Sequence, residues 1–370
     1  MQEQPTQIQK GVKMSAGQRI FCFMSAMSLV LVFVYSDVAV QAMSDGMRLC
    51  VGTLIPSLFP FMVLSELFVR SGAAELVGKT VGYPISKLFG ISRDGSVGWL
   101  LGALCGFPIG MRCALSLYEQ GKISRAELEH LSTFCNSPSS AFLIGAVGAS
   151  LLGSQKFGII LYAAHLCSSL AIGFAGRFYF SGKKAEYSAA GAALSPKKQS
   201  SARIFSDSVS ASAMSMLFIC AFVLFFSSLT GILKLFLAQL CPNSLLRALA
   251  VGFFEMTGGV FAASELPLRY AIPAVAAVTG WSGLSVHFQL IGICGSHELS
   301  FKPYFLAKAM SSLLCSALTV LLTHIFAKEL RFSIGSVESF LPIPSSPSTL
   351  LAVVLFGFSC LTLLKAPRGK

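Results

Sequence analysis

The chain has 370 residues, 54% of them hydrophobic and 12% charged, with 28 Lys and Arg against 16 Asp and Glu for a formal charge of +12. Soluble domains carry about 25% charged residues. Half that share, with a mean hydropathy of +0.72, excludes an ordinary water-soluble protein, a disordered chain and a low-complexity fibre. What remains is an all-α polytopic membrane protein, with room for roughly eight to ten apolar segments of the ~20 residues that cross a bilayer.

The basic residues gather at loops and termini, which is the pattern of membrane topology and not of a nucleic-acid binder. The eleven Cys sit singly in apolar runs without a C-x-x-C, so they read as small buried hydrophobes and not as metal or redox groups. No cofactor or metal is implied, the lipid bilayer is the expected partner, and a coupling ion is left open.

In chain order, Ile20 to Val40 is the first span, preceded by Lys10, Lys13 and Arg19. It is long for a signal peptide, so it is read as an uncleaved first helix. Leu49 to Val69 is a second span, kinked or divided by Pro56 and Pro60. Residues 73 to 94 place apolar groups at helical spacing among charges, as an interfacial segment does. Val97 to Tyr118 is apolar but broken by Cys105-Gly106-Phe107-Pro108-Ile109-Gly110. Ser124 and Glu127 predict a capping box at the next helix. Asn136-Ser137-Pro138-Ser139-Ser140 interrupts that helix before Phe142 to Leu152, and Phe157 to Phe180 is another span.

Residues 181 to 204 form a linker carrying Lys183, Lys184, Lys197, Lys198 and Arg203 against Glu186 alone. The positive-inside rule places it in the cytoplasm, together with the N-terminus and the basic C-terminal tail. Beyond it lie apolar stretches at 213–240, 245–263, 271–294, 304–327 and 350–364.

The halves flanking the linker resemble each other. Leu58-Phe59 and Gly72 match Leu217-Phe218 and Gly231 at an offset of 159, Gly102 matches Gly252 at 150, and Leu143-Ile144-Gly145 matches Leu290-Ile291-Gly292 at 147. The chain therefore divides into a tail and first helix (1–46), a first repeat (47–180), the linker (181–204), a second repeat (205–330), and a loop with a last helix (331–370).

Paired Gly/Pro interruptions in corresponding hydrophobic segments point to a transporter's midplane site. A backbone that leaves the helix in hydrocarbon costs several kcal/mol per unpaired polar group unless protein or a wet cavity satisfies it. The candidate breaks are Gly106 to Gly110 and Asn136 to Ser140 in the first half, Thr257-Gly258-Gly259 and Gly280 to Ser285 in the second. A half-helix starting after a break offers N–H groups and a positive dipole end to an anion. Candidate solute-binding residues are Gly106, Pro108, Gly110, Asn136, Ser137, Ser139, Ser140, Ser282 and Ser285. Arg112 would meet a carboxylate, its alternative being to snorkel to an interface. Glu255 would bind a cation or proton, or pair with Arg112. His287 and Gln289 complete the set, and His165 is read as structural.

The motifs Leu104-Cys105-Gly106-Phe107-Pro108-Ile109-Gly110, Tyr118-Glu119-Gln120-Gly121-Lys122-Ile123-Ser124, Phe134-Cys135-Asn136-Ser137 and Gly280-Trp281-Ser282-Gly283-Leu284-Ser285-Val286-His287-Phe288-Gln289 resemble those of the sporulation integral membrane protein YlbJ family, also called stage V sporulation protein V. The resemblance runs from about Leu49 to Leu322. It implies two nucleoside-recognition "Gate" domains and transport of dipicolinic acid across the outer forespore membrane. Other readings stay open: a nucleoside or other small-solute transporter, a sporulation membrane protein without flux, or an intramembrane serine hydrolase. The last rests on the G-x-S-G of Gly280-Trp281-Ser282-Gly283, with His287 or His324 as base. A carrier and not an enzyme is the expectation.

Overall fold

A computed structural model describes residues 15–80, 82–181, 200–295, 297 and 299–326. The described residues form α- and π-helices joined by short turns. The basic linker, apart from its ends, and the expected C-terminal helix at 350–364 lie outside them.

The first apolar run is divided at Tyr35 into α1 (Ala16–Val34) and α2 (Ser36–Leu49). Ser15 starts α1 with a full capping box to Gln18. The second run becomes a π-helical turn, Cys50–Leu54, and α3 (Ile55–Arg70). Pro56 falls in the first turn of α3, just after the π-helical turn, and Pro60 lies inside the helix. The segment read as interfacial forms two short helices, α4 (Ala73–Thr80) and α5 (Gly82–Phe89), both packed on the next element.

From there the chain runs the same series of elements twice. In the first half α6 (Arg93–Cys105) breaks into α7 (Ile109–Glu119), α8 (Arg125–Phe134) breaks into a π-helical segment (Ala141–Leu151), and the long α9 (Gln155–Ser181) follows. The 40-residue α10 (Ser201–Leu240) leads into the second half. There α11 (Ser244–Phe254) breaks into α12 (Met256–Ser264), α13 (Leu268–Trp281) breaks into α14 (Gly283–Cys294), and the long α15 (Lys302–Ile325) follows. At 1.5 Å per residue, the 13 residues of α6 rise only about 20 Å. No half-helix of that kind reaches across ~30 Å of hydrocarbon. Among the described residues, five stretches are long and apolar enough to do so: α1, α9, α10, α13 with α14, and α15.

Ser124 starts α8 as expected, accepting from Glu127 N at 3.2 Å. The expected capping box is corrected in its second half. Glu127 Oε1 instead accepts from Ser92 N at 2.8 Å and Ser92 Oγ at 2.6 Å, tying the start of α8 to the start of α6.

The two halves exchange parts of their cores. One buried cluster joins Met111, Leu128 and Phe134 of the first half to Leu290, Cys294 and Tyr304 of the second. The other joins Val260, Val275 and Trp281 of the second half to Leu143, Val147 and Leu161 of the first. Each half thus closes its core with the last elements of the other.

Candidate functional site

In the first half, α6 ends at Gly106, whose backbone at φ +79° is one that residues with a Cβ rarely adopt. A Cβ there would also meet Ser139 N at 2.4 Å. The bare glycine lets the two first-half breaks touch, and Phe107 N then donates to Ser137 O at 2.8 Å. Pro108, after a cis peptide, precedes α7, and Gly110 crosses Gly102 at close range over the Cys135 carbonyl. Ser139 Oγ accepts from Phe142 N at 3.1 Å, and Ser140 Oγ donates to Leu104 O at 3.2 Å.

In the second half the first break corrects the expectation of Thr257-Gly258-Gly259. The chain leaves the helix at Glu255 alone, and both glycines are helical in α12. The reason is a cap: the Glu255 carboxylate accepts from Thr257 N at 2.8 Å and Gly258 N at 2.5 Å, so one extended residue suffices to restart the helix. The N-terminus of α12, expected to face an anion, is filled by the chain's own carboxylate. No ion pair joins Glu255 to Arg112 among the described residues.

The second break is short as well, with left-handed backbone at Ser282 and Gly283. Ser282, at φ 75°, stands in the left-handed region between α13 and α14, uncommon for a residue with a side chain. Trp281 Nε1 donates to Phe253 O at 3.1 Å, which pins this break to the one at Glu255. α14 starts without a side-chain cap.

All four breaks border one cavity of about 240 Å³, whose lining includes Phe107, Asn136, Ser139, Glu255, Ser282, Ser285 and Gln289. A cavity of about 150 Å³ already takes benzene. The rest of its wall is largely apolar, from Leu54, Leu58, Phe142, Ile219, Val223 and Val286. Two polar atoms close to it lack a protein partner: Asn136 Oδ1 and Ser285 Oγ. Their residues are 2% and 1% exposed.

Behind this wall stands Lys308, on α15 and 4% exposed. Its Nζ donates to Asn136 O and, at 3.1 Å, to Ser282 Oγ, joining the second break of each half. The sequence reading did not single it out, although a lysine seven residues into the apolar helix 302–325 is the signal that intramembrane charges give.

Of the candidate residues, Asn136, Ser139, Glu255, Ser282, Ser285 and Gln289 meet at the cavity, while Gly106, Pro108, Gly110, Ser137 and Ser140 shape the first-half breaks. His287 is buried behind the wall, its Nδ1 2.7 Å from the Tyr304 hydroxyl and its ring 4.4 Å from that of Trp281. Arg112 is elsewhere, in a small cleft with Ser65 and Glu66 of α3. Ile109, Arg112 and Cys113 share the helix face turned to α3, and Arg112 is not among the residues lining the cavity. His165, read as structural, is buried 2.9 Å from Thr279 Oγ1 and 3.5 Å from Cys315 Sγ.

Compared with known proteins, the chain is 28% identical to the sporulation integral membrane protein YlbJ of Bacillus subtilis (strain 168), in an alignment of 334 residues covering 82% of this chain and 81% of that protein. The likeness supports the YlbJ family. No protein-family model matches the chain, and no solved structure does. For a YlbJ relative, the converging breaks give a physical reason for the Gly-Phe-Pro-Ile-Gly and Gly-Trp-Ser-Gly motifs: both turn the backbone at the wall of one cavity.

Proposed function

We propose that this protein is a membrane transporter of a small planar organic anion, dipicolinate in particular, acting in sporulation at the outer forespore membrane. The observation that carries the reading is the convergence of four helix breaks, two from each related half, on one cavity. Non-helical backbone at membrane depth is tolerated where it lines such a cavity, and transporters built of repeats bind their solute there. The apolar wall suits an aromatic ring, while Ser285, the uncapped start of α14 and the nearby Lys308 suit a carboxylate. Relative motion of the two halves about their shared core would open the cavity to alternate sides. The N-terminus, the 181–204 linker and the C-terminal tail lie in the cytoplasm on this reading, by their basic charge.

The test is uptake of labelled dipicolinate into vesicles containing the purified chain. Saturable uptake, competed by unlabelled dipicolinate and not by a nucleoside, is the expected result. Competition by the nucleoside alone would transfer the reading to a nucleoside carrier. Absence of uptake in folded protein would leave a sporulation membrane protein without flux. Reporter fusions at Lys370 and within 185–195 test the orientation, and opposite sides would overturn it.

One observation favours a hydrolase: Ser282 has a positive φ and lies 3.1 Å from Lys308 Nζ. The expected His base is absent from the contact, since His287 bonds Tyr304 and the Ser282 hydroxyl donates to Thr279 O at 3.2 Å. Ser282→Ala separates the readings, because a hydrolase would lose all activity and a carrier would only be weakened.

A further inference from the structure

Lys308 is a buried basic side chain whose two partners are neutral. No acidic side chain among the described residues pairs with it, and both groups it reaches, Asn136 O and Ser282 Oγ, are neutral. Glu255, on the same cavity, is committed to the α12 backbone. Buried charges are ordinarily paired, because an isolated one costs far more than neutral hydrogen bonds return. Beside Lys308 stands a second incomplete group: Ser285 Oγ, 1% exposed, borders the cavity with no protein partner. It lies in the first turn of the 12-residue α14, which has no side-chain cap.

We propose that Lys308, Ser282, Ser285 and the start of α14 form the subsite for a carboxylate of the solute, and that Lys308 supplies its charge recognition. This deepens the transporter reading and rests on it for the solute class. Arg112, the cation expected from the sequence, has no part in the subsite. A carboxylate bound at Ser285 draws Lys308 toward it in competition with the Asn136 carbonyl. Since Asn136 belongs to the first half and Ser282 to the second, the solute thereby alters the link between the two halves. The subsite takes one carboxylate and leaves the ring to the apolar wall.

The subsite is tested on the full chain purified in detergent, by the rise in melting temperature on titration with picolinate and, separately, its neutral carboxamide. Picolinate is expected to stabilise the wild-type protein, and the carboxamide to do so at least about tenfold less well in concentration. Lys308→Met and Ser285→Ala are each expected to weaken the picolinate effect, while Lys308→Arg retains part of it. Ser285→Ala removes only an unpartnered hydroxyl, so it keeps the test decisive if Lys308→Met does not fold. Equal stabilisation by the acid and its amide, no stabilisation by either, or an undiminished effect in the variants would overturn the subsite. Stabilisation by picolinate without uptake of dipicolinate in vesicles would retain the subsite and count against the transporter reading alone.

Discussion

The first and second halves break their helices by different means. The first-half breaks are several residues long and meet each other chiefly through backbone: Phe107 N on Ser137 O, and glycines that let the Gly106 and Gly102 regions lie against Ser139 and Cys135, with the Ser139 and Ser140 hydroxyls adding local bonds. The second-half breaks are shorter, Glu255 in one and Ser282-Gly283 in the other, and side chains brace them: the Glu255 carboxylate on two N–H groups, and the Trp281 indole on Phe253 O. The same series of elements thus reaches the same cavity with two local chemistries. The meeting of the first-half breaks should yield most to a change that blocks backbone approach, whereas the break at Glu255 should yield to the loss of a single polar group.

The largest expected effect tests the first-half rule. Gly106→Ala adds a Cβ that meets Ser139 N at 2.4 Å, on a backbone at φ +79°. Strain and overpacking together should cost about 3 kcal/mol or more, read as a large fall in melting temperature or in folded yield. A melting temperature equal to the wild type would show that the first-half breaks do not touch as described.

Next comes the second-half rule. Glu255→Ala strips the cap from α12 and leaves the N–H groups of Thr257 and Gly258 unpaired beside the cavity. The cost should be about 1–3 kcal/mol, and Glu255→Gln should recover part of it by keeping one acceptor oxygen. If thermal unfolding placed the alanine and glutamine variants together at the wild-type value, the cap would not be what holds the break.

Ser137→Ala is the matched control in the first half. Ser137 serves its break through its backbone carbonyl, so truncating the side chain should move stability by less than about 0.5 kcal/mol. A loss as large as that of Glu255→Ala would erase the distinction between the halves. The smallest effect on transport is expected for Arg112→Ala. With Arg112 in the cleft beside Glu66, half-saturation for dipicolinate should change by less than about twofold. A much larger shift would return Arg112 to the site.

The same contrast explains what was legible in the sequence. Gly106-Phe107-Pro108 and Asn136-Ser137-Pro138 announce a break by composition, since proline and glycine cannot continue a helix cheaply. Residues on both motifs border the cavity. Gly258-Gly259 carries the usual breaker signal while a capping carboxylate looks like any acid, so the sequence points two residues past the break at Glu255. Gly259 serves packing instead, since a Cβ there would collide with Gly252 Cα. Arg112 was drawn into the site by its nearness in sequence to Gly110, but one helical turn carries it to the α3 face. Lys308 was hidden for the opposite reason. It stands in an otherwise apolar span, and which of its neighbours belong to the other half is a fact of tertiary packing.

The central claim is that breaks from both halves enclose one solute site. It is tested most directly by placing single cysteines at Ser139 and at Gln289, one in each half and both on the cavity wall, in a chain whose native cysteines have been replaced. Their labelling by a small membrane-impermeant thiol reagent is followed in vesicles with and without dipicolinate, with a cysteine at Arg112 as control. Dipicolinate should slow labelling at both cavity positions and leave the control unchanged. Protection at one position alone, or at neither, would contradict a cavity shared by the two halves.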